Sequence, residues 1–207
     1  MPYSVTRKFE KTIAEYCGAK YGVAVSSCTN AIFLCLKYLQ HINACADYID
    51  LPKRTYPGVA MSVLHAGMDI NFQDKEWKGI YRLYPSAIVD SALRFKKNMY
   101  DIEQGNFWCL SFHNRKHIPI GRGGMILTYH KGAADWLRKA RFDGRQECSL
   151  YKDNLKQQGW NMYLTPDQAA KGLMLFDRIK DEDLPDIDDY ETYPDLSTMP
   201  TFKERNK

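Results

Sequence analysis

No stretch of this 207-residue sequence approaches the roughly 20 consecutive apolar residues needed to cross a bilayer. The opening MPYSVTRKFEKTIAEYC also lacks the apolar block that leads a secreted chain. The expectation is a cytoplasmic protein with no membrane association. The six cysteines, Cys17, Cys28, Cys35, Cys45, Cys109 and Cys148, include no CxxC pair, which argues against both a zinc site and a disulfide framework. Reduced, structural thiols and no bound metal are expected. There is no basic run and no nucleic-acid motif, and a formal charge of +4 spread along the chain does not make a nucleic-acid footprint. No GxGxxG follows the first β-rich run, so the dinucleotide-binding fingerprint is missing. No internal repeat is visible.

What is present is the composition of a globular protein, 44% hydrophobic and 13% aromatic, at a length suited to one well-buried domain. Short β-rich runs at 22–26, 48–51, 68–72, 87–90, 107–112 and 124–128 alternate with amphipathic stretches, the pattern of an α/β domain around a mostly parallel central sheet. After Ser26, the apolar residues Ile32, Cys35, Leu36 and Leu39 recur at helical spacing, so the first strand runs directly into a helix. Thr165, Pro166 and Asp167 supply an N-cap, a first-turn proline and an acid at the positive end of a helix that runs to about residue 179. Beyond it, DEDLPDIDDYETYPDLSTMP is acidic and proline-bearing, and reads as an extended tail with little core of its own.

The chemistry-bearing stretch is SFHNRKHIPIGRGG, at 111–124. A strand ends at Ser111, Lys116 follows, and Gly121, Gly123 and Gly124 allow tight turns and close backbone approach. A lysine that forms an imine with an aldehyde cofactor must be held beside it and partly desolvated; an ordinary surface lysine is the plain alternative for Lys116. Upstream, SAIVDSALRF puts Asp90 at the end of an apolar strand, the edge where α/β sheets bind ligands. A carboxylate there can keep a pyridine nitrogen protonated, or simply cap a turn. In SSCTNA, at 26–31, hydroxyl and amide groups open a helix whose dipole and N–H groups favour a phosphate, though such residues also cap ordinary helices.

In their order and spacing these segments resemble the DegT–StrS family of pyridoxal-phosphate (PLP) dependent nucleotide-sugar aminotransferases. The likeness runs from about residue 9 to about residue 179 and implies the three-layer large domain of PLP-dependent transferases of fold type I. FEKTIAEYCGAKYGVAVSSCTNAIFLCLKYL is similar to the family's opening helix, strand and phosphate turn, which implies that Thr29 and Asn30 hold the cofactor phosphate. RTYPGVAMSVLHAG places Tyr56 where the family lays an aromatic residue on the cofactor ring. Asp90 takes the place of the aspartate on the pyridine nitrogen, and Ala92 that of the small residue beneath the ring. Ser111 matches a phosphate-contacting serine and Lys116 the cofactor-bearing lysine. QQGWNMYLTPDQAAKGLMLFDRI resembles the segment whose asparagine, here Asn161, reaches the phosphate of the other subunit, which implies a homodimer with a shared active site. Cys28, Leu93, Arg122 and Tyr163 depart from the family's usual glycine, glutamine, acidic residue and arginine.

The resemblance implies transfer of an amino group from an amino acid, by family habit L-glutamate, to a nucleotide-linked keto-sugar. Lys116 favours this over the dehydratase branch, which carries histidine there. The glycine-rich N-terminal leader and most of the C-terminal small domain have no counterpart, so 1–180 is expected to form the PLP-binding large domain and 181–207 a tail replacing the small domain. Two rivals stand beside this reading. One is a catalytically inactive PLP-fold protein that binds or interacts; the other is a different PLP enzyme, an amino-acid transaminase or a sugar dehydratase.

Overall fold

A computed structural model describes residues 3–203; the last four residues of the expected tail, 204–207, lie outside it. In chain order the elements are α1 (Ser4–Cys17), β1 (Tyr21–Val25), α2 (Cys28–His41), β2 (Tyr48–Pro52), α3 (Pro57–His65), β3 (Asp69–Gln73), β4 (Tyr81–Leu83), β5 (Ile88–Asp90), β6 (Phe107–Ser111), β7 (Gly124–Thr128), α4 (Lys131–Ala140), α5 (Pro166–Ile179) and α6 (Pro200–Lys203). All six runs expected from the sequence are strands. The three-residue β4 is an addition.

The main sheet has the order β1-β7-β6-β5-β4, and β2 and β3 form a parallel pair. An antiparallel bridge between Asp50 and Tyr84 joins β2 to β4. The sheet is mixed, because β7 is antiparallel to β1 and β6, and β4 is antiparallel to β5, while β5 and β6 are parallel. Followed through these pairings, β1, β2, β3, β5 and β6 share one direction and only β4 and β7 oppose it. Connection length explains β4. Only residues 84–87 separate it from β5, enough for a hairpin and too few for a parallel crossover.

β1, β5, β6 and β7 are apolar almost throughout because both of their faces are covered. Along β6, Trp108 and Leu110 face the layer of α1 and α5, while Phe107 and Cys109 face α2, α3 and α4; on β7, Met125 and Leu127 point to the first layer and Ile126 to the second. α5 starts as expected, with Pro166 at its first position and a capping box between Thr165 and Gln168. The tail is irregular, as its composition suggests, yet it packs: Tyr190, Leu196 and Phe202 are buried, and Phe202 meets Phe72 edge to face. A few well-spaced apolar side chains suffice to seat an acidic segment on the domain. Among the described residues no helix is long and apolar enough to cross a membrane.

A buried ion cluster ties α1 to the sheet and to α4. Glu10 and Arg141 are each 2% exposed at the side chain and 2.5 Å apart. Glu10 also accepts the Ala24 N–H at 3.0 Å and pairs with Arg7 at 2.9 Å and Arg138 at 3.4 Å, while Arg141 donates to the Ala24 carbonyl. Burial alone would push the Glu10 carboxyl up; the three guanidinium groups and the Ala24 N–H overcome it and hold the carboxyl below its ordinary 4.5. Removing one partner strands the opposite charges inside, so Glu10→Gln should lower the unfolding free energy by about 3 kcal/mol or more in chemical denaturation. Because the folded pKa is depressed, the contribution of Glu10 is complete above 4.5 and is lost as the pH falls through the lower folded value. The unaltered protein should therefore lose stability more steeply than the variant in that acid range.

Candidate active site

The parallel pairing of β5 and β6 brings Asp90 and Ser111 to the same edge of the sheet, and β1 delivers the start of α2 to that edge. Ser27, in extended conformation, caps α2 by accepting the Asn30 N–H at 3.0 Å. The approach of β7 to this cap requires glycine at 124, where an added Cβ would stand 2.5 Å from the Ser27 carbonyl carbon. Gly58, at the start of α3, serves a similar purpose. A Cβ there would lie 2.6 Å from the Tyr56 ring and 2.7 Å from the Thr29 hydroxyl, so only glycine leaves room for both groups.

These elements surround a cavity of about 200 Å³. Thr29, Tyr56, Asp90, Ala92, Ser111 and Lys116, six residues singled out from the sequence, all line it. Two do not. Asn30 gives its N–H to Ser27 and its side-chain amide to the Ser26 hydroxyl at 2.7 Å, and Asn161 donates its amide to Asp143 at 3.1 Å. His113 lines the cavity, while His117 contacts the Pro185 carbonyl at 2.9 Å.

Asp90 is buried, and no cation forms an ion pair with it within 4.0 Å among the described residues. Its oxygens accept the Ala92 N–H at 2.9 Å and the Tyr81 hydroxyl at 3.0 Å. Since Tyr81 donates to Asp90, the 2.6 Å contact between Tyr81 and Thr55 has Thr55 as donor. Burial pushes the Asp90 carboxyl up, opposed by Ala92, Tyr81 and Lys116. The same burial, reinforced by Asp90, keeps the Tyr81 phenol protonated. On Lys116, burial is the largest influence and lowers the pKa, while Asp189 and Asp90 raise it.

Sequence reasoning missed the Thr55–Tyr81 support, because β4 is too short to register as a strand. It also missed Trp77, Asp189, Thr192 and Tyr193 on the cavity wall. Asp189 Oδ2 stands 4.0 Å from Lys116 Nζ. The departures from the family pattern are accommodated: Cys28 is buried with its thiol 3.4 Å from the Cys109 carbonyl, and Arg122 donates to the Ser26 carbonyl at 3.2 Å.

The residues fit a pyridoxal phosphate. A buried carboxylate without an ion-pair partner, facing a cavity, suits a pyridinium nitrogen. The first turn of α2 beside Thr29 and Ser111 suits a phosphate. A partly desolvated lysine on the same cavity suits an aldehyde.

Known proteins bear on this arrangement. The spore coat polysaccharide biosynthesis protein SpsC of Bacillus subtilis (strain 168) is 26% identical over 223 aligned positions, which cover 84% of this chain and 57% of that protein. GDP-perosamine synthase of Caulobacter vibrioides is 26% identical over 212 positions, covering 83% of this chain and 56% of the synthase. Among solved structures, Helicobacter pylori PseC, an aminotransferase involved in the biosynthesis of pseudoaminic acid, superimposes with a TM-score of 0.70 at 16% identity over 84% of this chain and 58% of its own. The chain thus spans 56% to 57% of the length of the two curated relatives. The structural likeness establishes the fold, that of PLP-dependent aminotransferases of fold type I. The sequence model of the DegT/DnrJ/EryC1/StrS aminotransferase family matches residues 1–89 and 101–196, most of the chain, and the chain belongs to that family.

Proposed function

We propose that the protein is a PLP-dependent sugar aminotransferase that moves an amino group from an amino acid, L-glutamate by family habit, to a keto-sugar, nucleotide-linked as in the GDP-sugar named for its Caulobacter relative. The observation that carries the reading is the convergence on one cavity of Lys116, Asp90, Ala92, Tyr56, Thr29 and Ser111, which come from separate segments of the chain. In this reading Thr29 and Ser111 bind the phosphate, helped by Asn161 of a second copy of the chain in a homodimer, while Asn30 supports the turn through its bonds to Ser26 and Ser27. Tyr56 and Ala92 clamp the ring. When bound, the cofactor supplies an aldehyde carbon and an electron-withdrawing pyridine.

Asp90 keeps the pyridine nitrogen protonated, and Tyr81 and the Ala92 N–H hold Asp90 in place for this. Lys116 would be the residue that holds the cofactor at its aldehyde carbon. When not so engaged, Lys116 would serve as the general base and acid that moves the proton at the donor's alpha carbon, and at the corresponding carbon of the acceptor. Partial desolvation suits it to this, because a lysine with a lowered pKa reaches its neutral form more readily. In the same reading residues 1–180 form the cofactor-binding unit.

Purified protein mixed with PLP should develop an absorbance band near the visible edge that converts on addition of glutamate. Lys116→Ala should lose the band and at least about 100-fold of the turnover. Absence of any cofactor uptake by the unaltered protein would instead support the inactive, binding reading. Asp90→Ala should retain the fold and lose about 100-fold in turnover, read as the rate of the donor half-reaction. The shared site has its own signature: inactive Lys116→Ala and weakened Asn161→Ala chains should regain activity when mixed. In the hybrid dimer one site combines Lys116 from one chain with Asn161 from the other.

A further inference from the structure

The segment from Pro185 to Leu196 crosses the cavity as a strap fixed on both sides. On one side His117 Nε2 donates to the Pro185 carbonyl at 2.9 Å, Arg94 grips the Asp186 carboxylate through Nε and Nη2 at 2.6–3.1 Å, and the Ile187 N–H donates to the Leu93 carbonyl at 2.9 Å. On the other, Arg54 donates to the Tyr193 carbonyl at 2.8 Å, the Leu196 N–H donates to the Lys53 carbonyl at 2.8 Å, and the Leu196 side chain is fully buried. Trp77 stacks on Tyr193 with ring centroids 6.1 Å apart.

Between these anchors the strap turns Asp189 inward. Its Oδ2 is 4.0 Å from Lys116 Nζ and its Oδ1 is 3.8 Å from Arg115. The side chains of Asp189 and Lys116 are only 16% and 12% exposed, so the pair is shielded from the solvent that weakens surface ion pairs. The adjacent Asp188 behaves differently. It pairs with Lys78 at 3.1 Å, both side chains being more than half exposed, and it is absent from the cavity wall.

We propose that Asp189 is a positioning residue for Lys116: carried on a strap anchored at both ends, its carboxylate holds the lysine ammonium in the cavity and sets how readily it gives up its proton. The proposal rests on the reading of Lys116 as the cofactor-bearing lysine. The groups that face Lys116 are Asp189 from the strap, Asp90 from β5, Cys28 from α2 and Arg115 from its own loop. Tyr193, also on the strap, is pushed up to about 12 by burial and by Asp189 and Asp90, and stays neutral. Asp189 is the only one of the anions among these that the strap carries, so it alone answers to the strap's position.

The sign follows from the charges. Burial lowers the pKa of Lys116 and Asp189 raises it. Removing the Asp189 charge should therefore lower the pH at which the amine becomes neutral. Competitive labelling of the cofactor-free protein with trace acetic anhydride, followed by peptide mass spectrometry, gives that midpoint for Lys116 with the other lysines as internal references. Asp189→Asn should lower the midpoint so that labelling on its acid side is about 3- to 10-fold faster. Arg94→Gln, which removes the bidentate grip on Asp186 and leaves it only Lys96 at 3.6 Å, should move it in the same direction, and Asp188→Asn should leave it in place.

An Asp189→Asn midpoint equal to that of Asp188→Asn would overturn the proposal. Were Asp189→Asn to fail to fold, Arg94→Gln with an unmoved midpoint would overturn it equally. Cofactor uptake by the unaltered protein separates the two readings. Uptake with an unmoved midpoint would remove the role of Asp189 alone. A moved midpoint without uptake would remove the cofactor assignment and leave the Asp189–Lys116 coupling standing.

Discussion

The arrangement at the sheet edge depends on keeping one carboxylate, that of Asp90, buried without a cationic partner. Taking a charged carboxyl out of water costs several kcal/mol even after relaxation, and this structure offsets that cost with donors in place of a cation. Ala92 supplies an N–H from the turn that follows β5, and Tyr81 supplies a hydroxyl from β4. Because Tyr81 spends its proton on Asp90, its oxygen must be served from elsewhere, and Thr55 does so. Thr55 immediately precedes Tyr56, so the same relay that supports the carboxylate fixes the backbone leading to the aromatic residue on the cavity wall. The hairpin from β4 to β5 is thus as much a part of the site as Asp90 itself.

Much of this was legible in the sequence, for reasons that differ from element to element. The buried strands read as unbroken apolar runs, and such runs survive inspection without any structural information. Lys116, Asp90 and Ser111 stand out through their places at strand ends and beside a glycine cluster, Thr29, Tyr56 and Ala92 are implied by the family resemblance, and all six line one cavity. Tyr81 escaped notice because a three-residue strand leaves no periodicity to detect. The mixed character of the sheet was likewise hidden, since direction follows from connection lengths, and the short link after β4 carries no compositional mark. Asn30 and Asn161 are not on the cavity wall, and each amide has a partner within the chain. The tail misled through composition. Its acids and prolines argue against a core of its own, and it has none; it borrows one by placing Leu196 and Phe202 into the layer built by α2 and α3.

The departures from the family pattern take on meaning in this setting. Cys28, standing where glycine is usual, fits because its side chain turns inward against the Cys109 carbonyl and the Asp90 carboxylate, and burial holds its thiol well above its ordinary pKa, as a neutral packing group. Arg122, where an acid is usual, reaches back to the Ser26 carbonyl and so fastens the glycine loop to the end of β1.

Leu93, where glutamine is usual, lies in the turn that also receives the strap. Its carbonyl accepts the Ile187 N–H, and its neighbour Arg94 grips Asp186. The turn after β5 therefore has two duties, since its first residues hold the Asp90 carboxylate and its next ones hold the segment that carries Asp189. Two groups that bear on Lys116, one from the sheet and one from the tail, are in this way fixed by a single short stretch of backbone. A displacement of that stretch would change both at once. This coupling gives the acidic tail a physical role at the site that its composition alone does not suggest.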